Sequence, residues 1–91
     1  PRRIYPASIH VKVRCASGMK WRLIEEYGVG CFTEQEDGFL LFESDFVDRN
    51  SLYGWLLSFG EQMELLEPEE LRKELADMFG RMQRRYQKET E

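Results

Sequence analysis

A chain of 91 residues, 42% of them hydrophobic, has room for one domain with one modest core. The formal net charge is −4, and residues 24–79 hold fifteen carboxylates against three Lys/Arg, which disfavours a domain body that wraps nucleic acid by charge. The apolar runs are only a few residues long, too short for a membrane span.

The first predicted element is a strand in ASIHVKVRCA, where apolar and polar residues alternate strictly. One face of this strand would carry Ile9, Val11, Val13 and Cys15, and the other His10, Lys12 and Arg14. A helix follows in SGMKWRLIEEYG, because Leu23, Ile24 and Tyr27 recur at helical spacing and Gly28 can end it.

The middle of the chain predicts a β-hairpin, since GCFTEQEDGFLLFESDF holds two β-prone runs joined around Asp37-Gly38. In the second run the side chains divide by parity into inward Leu40, Phe42 and Phe46 and outward Phe39, Leu41, Glu43 and Asp45.

A second helix is predicted in DRNSLYGWLLSFG, where apolar residues recur at i, i+3, i+4 and i+7: Leu52, Trp55, Leu56 and Phe59. Asp48, Asn50 or Ser51 can cap its start, and Gly60 can end it in the left-handed conformation.

The last predicted elements are a short strand in QMELL and a C-terminal helix. Pro68 suits the first turn of that helix, and Glu69 and Glu70 suit its positive end. Its apolar stripe runs for about five turns through Leu71, Leu75, Met78, Met82 and Tyr86. Gly80 weakens the helix by about 1 kcal/mol.

The element order predicts an α+β fold, a ferredoxin-like βαββαβ sandwich with a four-stranded antiparallel sheet and two helices on one face. The first strand should lie between the third and the fourth. We assign residues 1–8 to a linker from an upstream domain, 9–88 to the domain and 89–91 to a tail. The extra C-terminal helix must cover a face, either its own or a neighbour's.

Catalytic and metal sites lack the residues they need. His10 and Cys15 have opposite parity on one strand and so face opposite sides of the sheet, and no CxxC or HxxxH spacing occurs. The carboxylate pairs lie in polar stretches or at helix ends: Glu25/Glu26, Glu34/Glu36 and Glu69/Glu70. Cys15 and Cys31 are interpreted as inert thiols in a reducing cytoplasm. The sequence therefore predicts a non-enzyme without catalytic, cofactor-binding or metal residues.

The candidate partner or effector surface is the outer face of the sheet, with His10, Lys12, Arg14, Phe39 and Leu41. Aromatic side chains on such a face stack bases in RNA-recognition motifs, and DGFLLFES echoes the third strand of that motif. However, Asp37 stands where a basic residue belongs, and the outward acids Glu43, Asp45 and Glu64 would repel phosphate. We favour cross-strand ion pairs of Lys12 and Arg14 with these acids, while Phe39 and Leu41 still indicate a contact surface.

The segments DGFLLFESDF and LYGWLLSFGEQMELLEPEELRKEL, followed by a helix ending RRYQ, resemble the C-terminal extension (WCX domain) of bacterial WYL-domain transcriptional regulators. The characteristic part comprises the LLSFG helix end, a short strand, LEP and the LR that opens the last helix. It lies at Leu56–Gly60, Met63–Leu66, Leu66–Pro68 and Leu71–Arg72. The likeness extends from Ile9 to Tyr86.

The resemblance implies a regulator with an N-terminal helix-turn-helix domain, a WYL domain and this extension, which takes part in dimerisation and in effector sensing or relay. The chain would then be a non-catalytic, cytoplasmic module of a homodimer that meets DNA only through the helix-turn-helix domain. PRRIYPAS would be the linker from the WYL domain, in keeping with the missing initiator Met. No effector-binding residue is carried over, and the effector stays open, with a nucleotide or single-stranded nucleic acid among the candidates.

Two other functions remain open. One is a free-standing ferredoxin-like sensor of an amino acid or nucleotide, with Ser17-Gly18 as its binding loop. The other is single-stranded nucleic-acid binding by the open sheet face.

Overall fold

The computed structural model of the chain describes residues 8–87. The elements are β1 (Ile9–Cys15), α1 (Lys20–Tyr27), β2 (Phe32–Glu34), β3 (Leu40–Phe46), α2 (Arg49–Leu57), β4 (Met63–Glu67) and α3 (Glu69–Gln87). Short 3₁₀ turns precede α1 and β4 at Ser17–Met19 and Gly60–Gln62. The predicted linker, apart from Ser8, and the predicted tail lie outside the described residues.

The four strands form one antiparallel sheet in the order β2-β3-β1-β4. β1 therefore lies between the third and fourth strands, as predicted, and the fold is ferredoxin-like with an additional C-terminal helix. Val13 sits opposite Phe42 on one side and Leu65 on the other, so the inward residues of three strands meet in one row.

The core lies between the sheet and the helices. Val11, Val13 and Cys15 are fully buried, which confirms the inward face predicted from the alternation in β1. α1 contributes Leu23, and the 3₁₀ turn before it contributes Met19. The other buried side chains are Leu40, Phe42, Leu52, Leu56, Phe59, Met63, Leu65, Leu71 and Leu75.

Trp55 joins the edge of this core through an aromatic cluster. Its ring centroid lies 5.3 Å from those of Phe42, Phe46 and Phe59, and 6.2 Å from that of Tyr27. Such contacts add to what burial alone contributes. Trp55 is nevertheless only partly buried, because it lies at the side of the α2 face whose centre is formed by Leu52 and Leu56.

A capping carboxylate marks the start of α2, and a glycine with positive φ follows its end. Of the three predicted capping residues Asp48 takes the role, since its carboxylate accepts a hydrogen bond from the Ser51 N–H at 2.8 Å. Gly60 has a φ of 63°, the left-handed conformation expected after α2. In the β2–β3 hairpin, Gln35 N–H donates to the Phe39 carbonyl at 2.8 Å, so residues 36–38 form the turn.

α3 packs on its own domain, at the open edge of the sheet beside α2. Arg72 donates to the Leu65 carbonyl of β4 at 2.7 Å, and Glu74 accepts hydrogen bonds from Arg49 and Tyr53 of α2. It leaves the outer face of the sheet uncovered.

The predicted five-turn apolar stripe of α3 is buried only at its start. Leu71 and Leu75 are buried, Met78 and Met82 are half-buried, and Tyr86 is 86% exposed. The reason is geometric, because a helix of 19 residues is about 28 Å long and extends past the core beneath it.

The same substitution at two glycines should change stability in opposite directions. Gly54 lies within α2 and a Cβ there would meet nothing within 4 Å, so Gly54→Ala should raise the free energy of unfolding by about 0.5–1 kcal/mol. Gly60→Ala places an L side chain at positive φ and should lower it by about 1–2 kcal/mol. Urea unfolding measures both, and a shared sign would contradict the backbone described here.

Candidate partner and effector surface

The five residues of the predicted surface all lie on the outer face of the sheet. Arg14 sits opposite Leu41, and Lys12 and His10 sit opposite Glu43 and Asp45. Phe39 and Leu41 are half-buried, as are Lys12 and Arg14, whereas His10 is exposed. His10 is four residues from Arg14 along β1, or about 13 Å, so the surface is a strip and not a single pocket.

Arg14 lies at the end of the strip near Phe39 and fixes the position of that ring. Its guanidinium carbon is 3.5 Å from the centroid of the Phe39 ring. One guanidinium nitrogen donates to Asp37 at 3.1 Å, and the other lies 3.9 Å from a Glu64 oxygen. The Phe39 N–H and then the Arg14 guanidinium hold the pKa of Asp37 below its ordinary value.

This arrangement changes what Phe39 can do. A nucleic-acid base that stacks on the ring would first have to displace a guanidinium already in a cation–π contact. Arg14 thus ties the β2–β3 hairpin to β4, and the Arg14–Glu64 pair is one of those expected from the sequence.

The other predicted ion pairs are distributed differently. His10 takes both acids of β3, with Nδ1 2.7 Å from Asp45 and Nε2 3.0 Å from Glu43. Lys12 instead lies 4.0 Å from Glu67 of β4. Of the acids expected to pair with Lys12 and Arg14, Glu64 does so, with Arg14, whereas Glu43 and Asp45 are bonded by the imidazole instead.

Carboxylates outnumber basic side chains on the strip. Around His10, Lys12 and Arg14 lie five carboxylates, those of Asp37, Glu43, Asp45, Glu64 and Glu67. Exposed ion pairs of this kind contribute little to stability. They do offset the positive charge that a phosphate-binding surface needs.

A concave surface lies at the β4 edge of the sheet, lined by residues of α2, β4 and α3. This α2–β4–α3 groove has a volume of about 450 Å³. Its apolar lining includes Leu56, Leu57, Met63, Leu75 and Phe79, and Glu61 and Arg72 contribute polar groups. The sequence pattern did not indicate it, because the groove depends on where α3 lies relative to α2.

The two cysteines and the possible metal ligands are the remaining groups of chemical interest. Cys15 is buried and His10 exposed on opposite faces of β1, and burial raises the pKa of the Cys15 thiol to about 12. Burial also raises the pKa of Cys31. Within residues 8–87, no group of three or more His, Cys, Asp or Glu side chains is placed to hold a metal ion. In the same residues no helix has the length and apolarity needed to cross a bilayer.

Sheet topology and the extra C-terminal helix define a small domain of the ferredoxin-like class. The family model described as the WCX domain matches residues 7–83. The chain therefore belongs to the WCX domain family, whose members are C-terminal domains of regulators and not known enzyme domains. Neither the curated proteins nor the solved structures include a significant match to the chain.

The bridged histidine gives a pH-dependent prediction. Hydrogen bonds to Asp45 and Glu43 raise the pKa of His10 above 6.5, so the stabilisation from its charged form is present below pH 6.5 and is lost as the pH rises through the higher native value. An NMR titration is unambiguous because the chain has one histidine. We expect Asp45→Asn to lower the pKa of His10 and the control Asp77→Asn, on exposed α3, to leave it unchanged. A pKa of His10 at or below 6.5 in the wild-type protein would contradict its hydrogen bonds to Asp45 and Glu43.

Proposed function

We propose that this chain is the non-catalytic C-terminal regulatory module of a WYL-type transcriptional regulator, where it contributes to dimerisation and to effector sensing or relay. The observation that carries the proposal is the WCX match over residues 7–83. In this proposal the upstream WYL and helix-turn-helix domains belong to the same cytoplasmic chain, and DNA is contacted only through the helix-turn-helix domain.

The relay is proposed to run through the outer strip of the sheet. Arg14 makes three contacts in two parts of the fold, with the Phe39 ring and Asp37 in the β2–β3 hairpin and with Glu64 on β4. A neighbouring domain that takes over one of these contacts exchanges one exposed ion pair for another, which involves a small free-energy change. Coupling between sites typically amounts to about 1–3 kcal/mol, so several contacts of Arg14 would have to change together.

The charges of the strip also favour one kind of contact. Five carboxylates around three basic side chains make a cationic or hydrogen-bonding group a better partner than a phosphate. If the effector is a nucleotide or single-stranded nucleic acid, we expect its phosphates to bind the upstream domain, because the carboxylates of this strip would repel them.

Reporter expression from the regulator's own promoter tests the relay. In the full-length regulator, Arg14→Ala and Phe39→Ala should reduce the response across a panel of growth conditions, because coupling of about 5- to 150-fold falls towards onefold. Lys73→Ala is the matched control, since it removes an exposed cation with an ion pair on α3. A wild-type response from the Arg14 and Phe39 variants would exclude the strip, and normal regulation after deletion of residues 9–88 would exclude the module's regulatory role.

A further inference from the structure

α3 carries an apolar stripe that continues beyond the core of its own domain. Leu75 is buried, but Phe79 is 44% exposed and Tyr86 is 86% exposed. With Met82 these residues are separated by four, three and four positions, which is the spacing of a helix–helix seam. From Leu75 to Tyr86 the seam extends over about 17 Å.

The stripe is continuous with the α2–β4–α3 groove. Leu75 and Phe79 form part of the groove wall, and Leu57 of α2, which is 41% exposed, faces them from the other side. Two exposed apolar surfaces that share a wall form one larger apolar surface, and such surfaces on small domains usually mark an interface. A small apolar ligand could fill the groove, but it would leave Met82 and Tyr86 uncovered.

The charges of α3 are segregated along its length. Residues 69–79 hold four carboxylates and two basic side chains, whereas residues 80–87 hold three arginines and no acid. The groove adds the carboxylate of Glu61 beside the first half of the helix, whereas its Glu64 is already paired with Arg72 at 2.9 Å. The second half of an antiparallel copy would bring its arginines to this acidic region, whereas a parallel copy would place like charges together.

We infer that α3 pairs antiparallel with α3 of a second copy of this chain, so that the end of each helix lies along the groove of the other. The seam spacing then sets Phe79 of one copy against Met82 of the other, and Leu75 against Tyr86. A two-fold axis satisfies both grooves at once, as in the commonest class of dimer. The inference rests on the proposed function in one respect, namely that the chain contributes to dimerisation. It identifies α3 and the α2–β4–α3 groove as the surface that does so.

Sedimentation velocity of the 91-residue chain across a wide concentration range tests the pairing. We expect a reversible dimer whose dissociation constant rises by about tenfold or more in Phe79→Gln and in Met82→Gln, because each removes a central apolar contact twice per dimer. Asp77→Gln is the matched control, since it places the same side chain on the opposite face of the helix. It removes one exposed charge but no seam contact, so it should raise the dissociation constant far less. Raising the salt from about 0.1 M to about 1 M should also weaken the dimer, as the Debye length falls from about 10 Å to about 3 Å.

The outcomes distinguish loss of the α3 pairing from misfolding and from loss of the proposed relay. Circular dichroism of Phe79→Gln and Met82→Gln should show unchanged folding, because both positions lie outside the buried core. A wild-type monomer at every concentration, or a dimer equally stable in Phe79→Gln, Met82→Gln and Asp77→Gln, would overturn the pairing. Neither result affects the reporter experiment with the Arg14 and Phe39 variants. The relay can therefore be excluded while the dimer is confirmed, or the dimer excluded while the relay is confirmed.

Discussion

The structure depends on the burial of β1 between β3 and β4. Because β1 is the central strand, its inward residues Val11, Val13 and Cys15 are covered by the helices and flanked by strands on both sides. A shift of one residue in its register would turn these side chains outward and bring His10, Lys12 and Arg14 into the core. The same alternation that stabilises the fold therefore also forms the charged strip.

The two sides of the domain are suited to different kinds of contact. The outer face is a set of exposed ion pairs that can be exchanged with little change in free energy, and it includes a guanidinium held over an aromatic ring. The α2–β4–α3 groove is largely apolar and gains free energy when water is removed from it. In the function proposed above, the groove is suited to assembly and the outer strip to the response.

The first turn of α3 contacts both the edge strand β4 and the ion pairs of the outer face. β4 is an edge strand, and an edge strand exposes backbone groups that can pair with other chains. Arg72 of α3 donates to the Leu65 carbonyl and also bonds Glu64, which in turn lies beside Arg14 on the outer face. The start of α3 thus protects the edge and contacts the ion-pair network, while its second half extends from the domain.

The sequence by itself determined the elements and the parity of their side chains, because these follow from interactions between residues close along the chain. The alternation from Ile9 to Cys15, the Asp48 cap and the Gly60 helix end are all of this local kind. The characteristic WCX segment between Leu56 and Arg72 could be recognised for the same reason, since it consists of consecutive helix-end, strand and helix-start signals.

Only the tertiary structure decided which groups meet across the sheet and how far α3 is covered. His10 bridges two acids of β3, and Arg14 reaches Asp37, 23 positions along the chain, because strand register and the hairpin turn bring them together. The sequence predicted an apolar stripe of about five turns on α3, and the structure buries only its start, at Leu71 and Leu75, because the extent of the core is set by the sheet and α2. Periodicity identifies which face of a helix is apolar, but what lies against that face depends on residues far away in sequence.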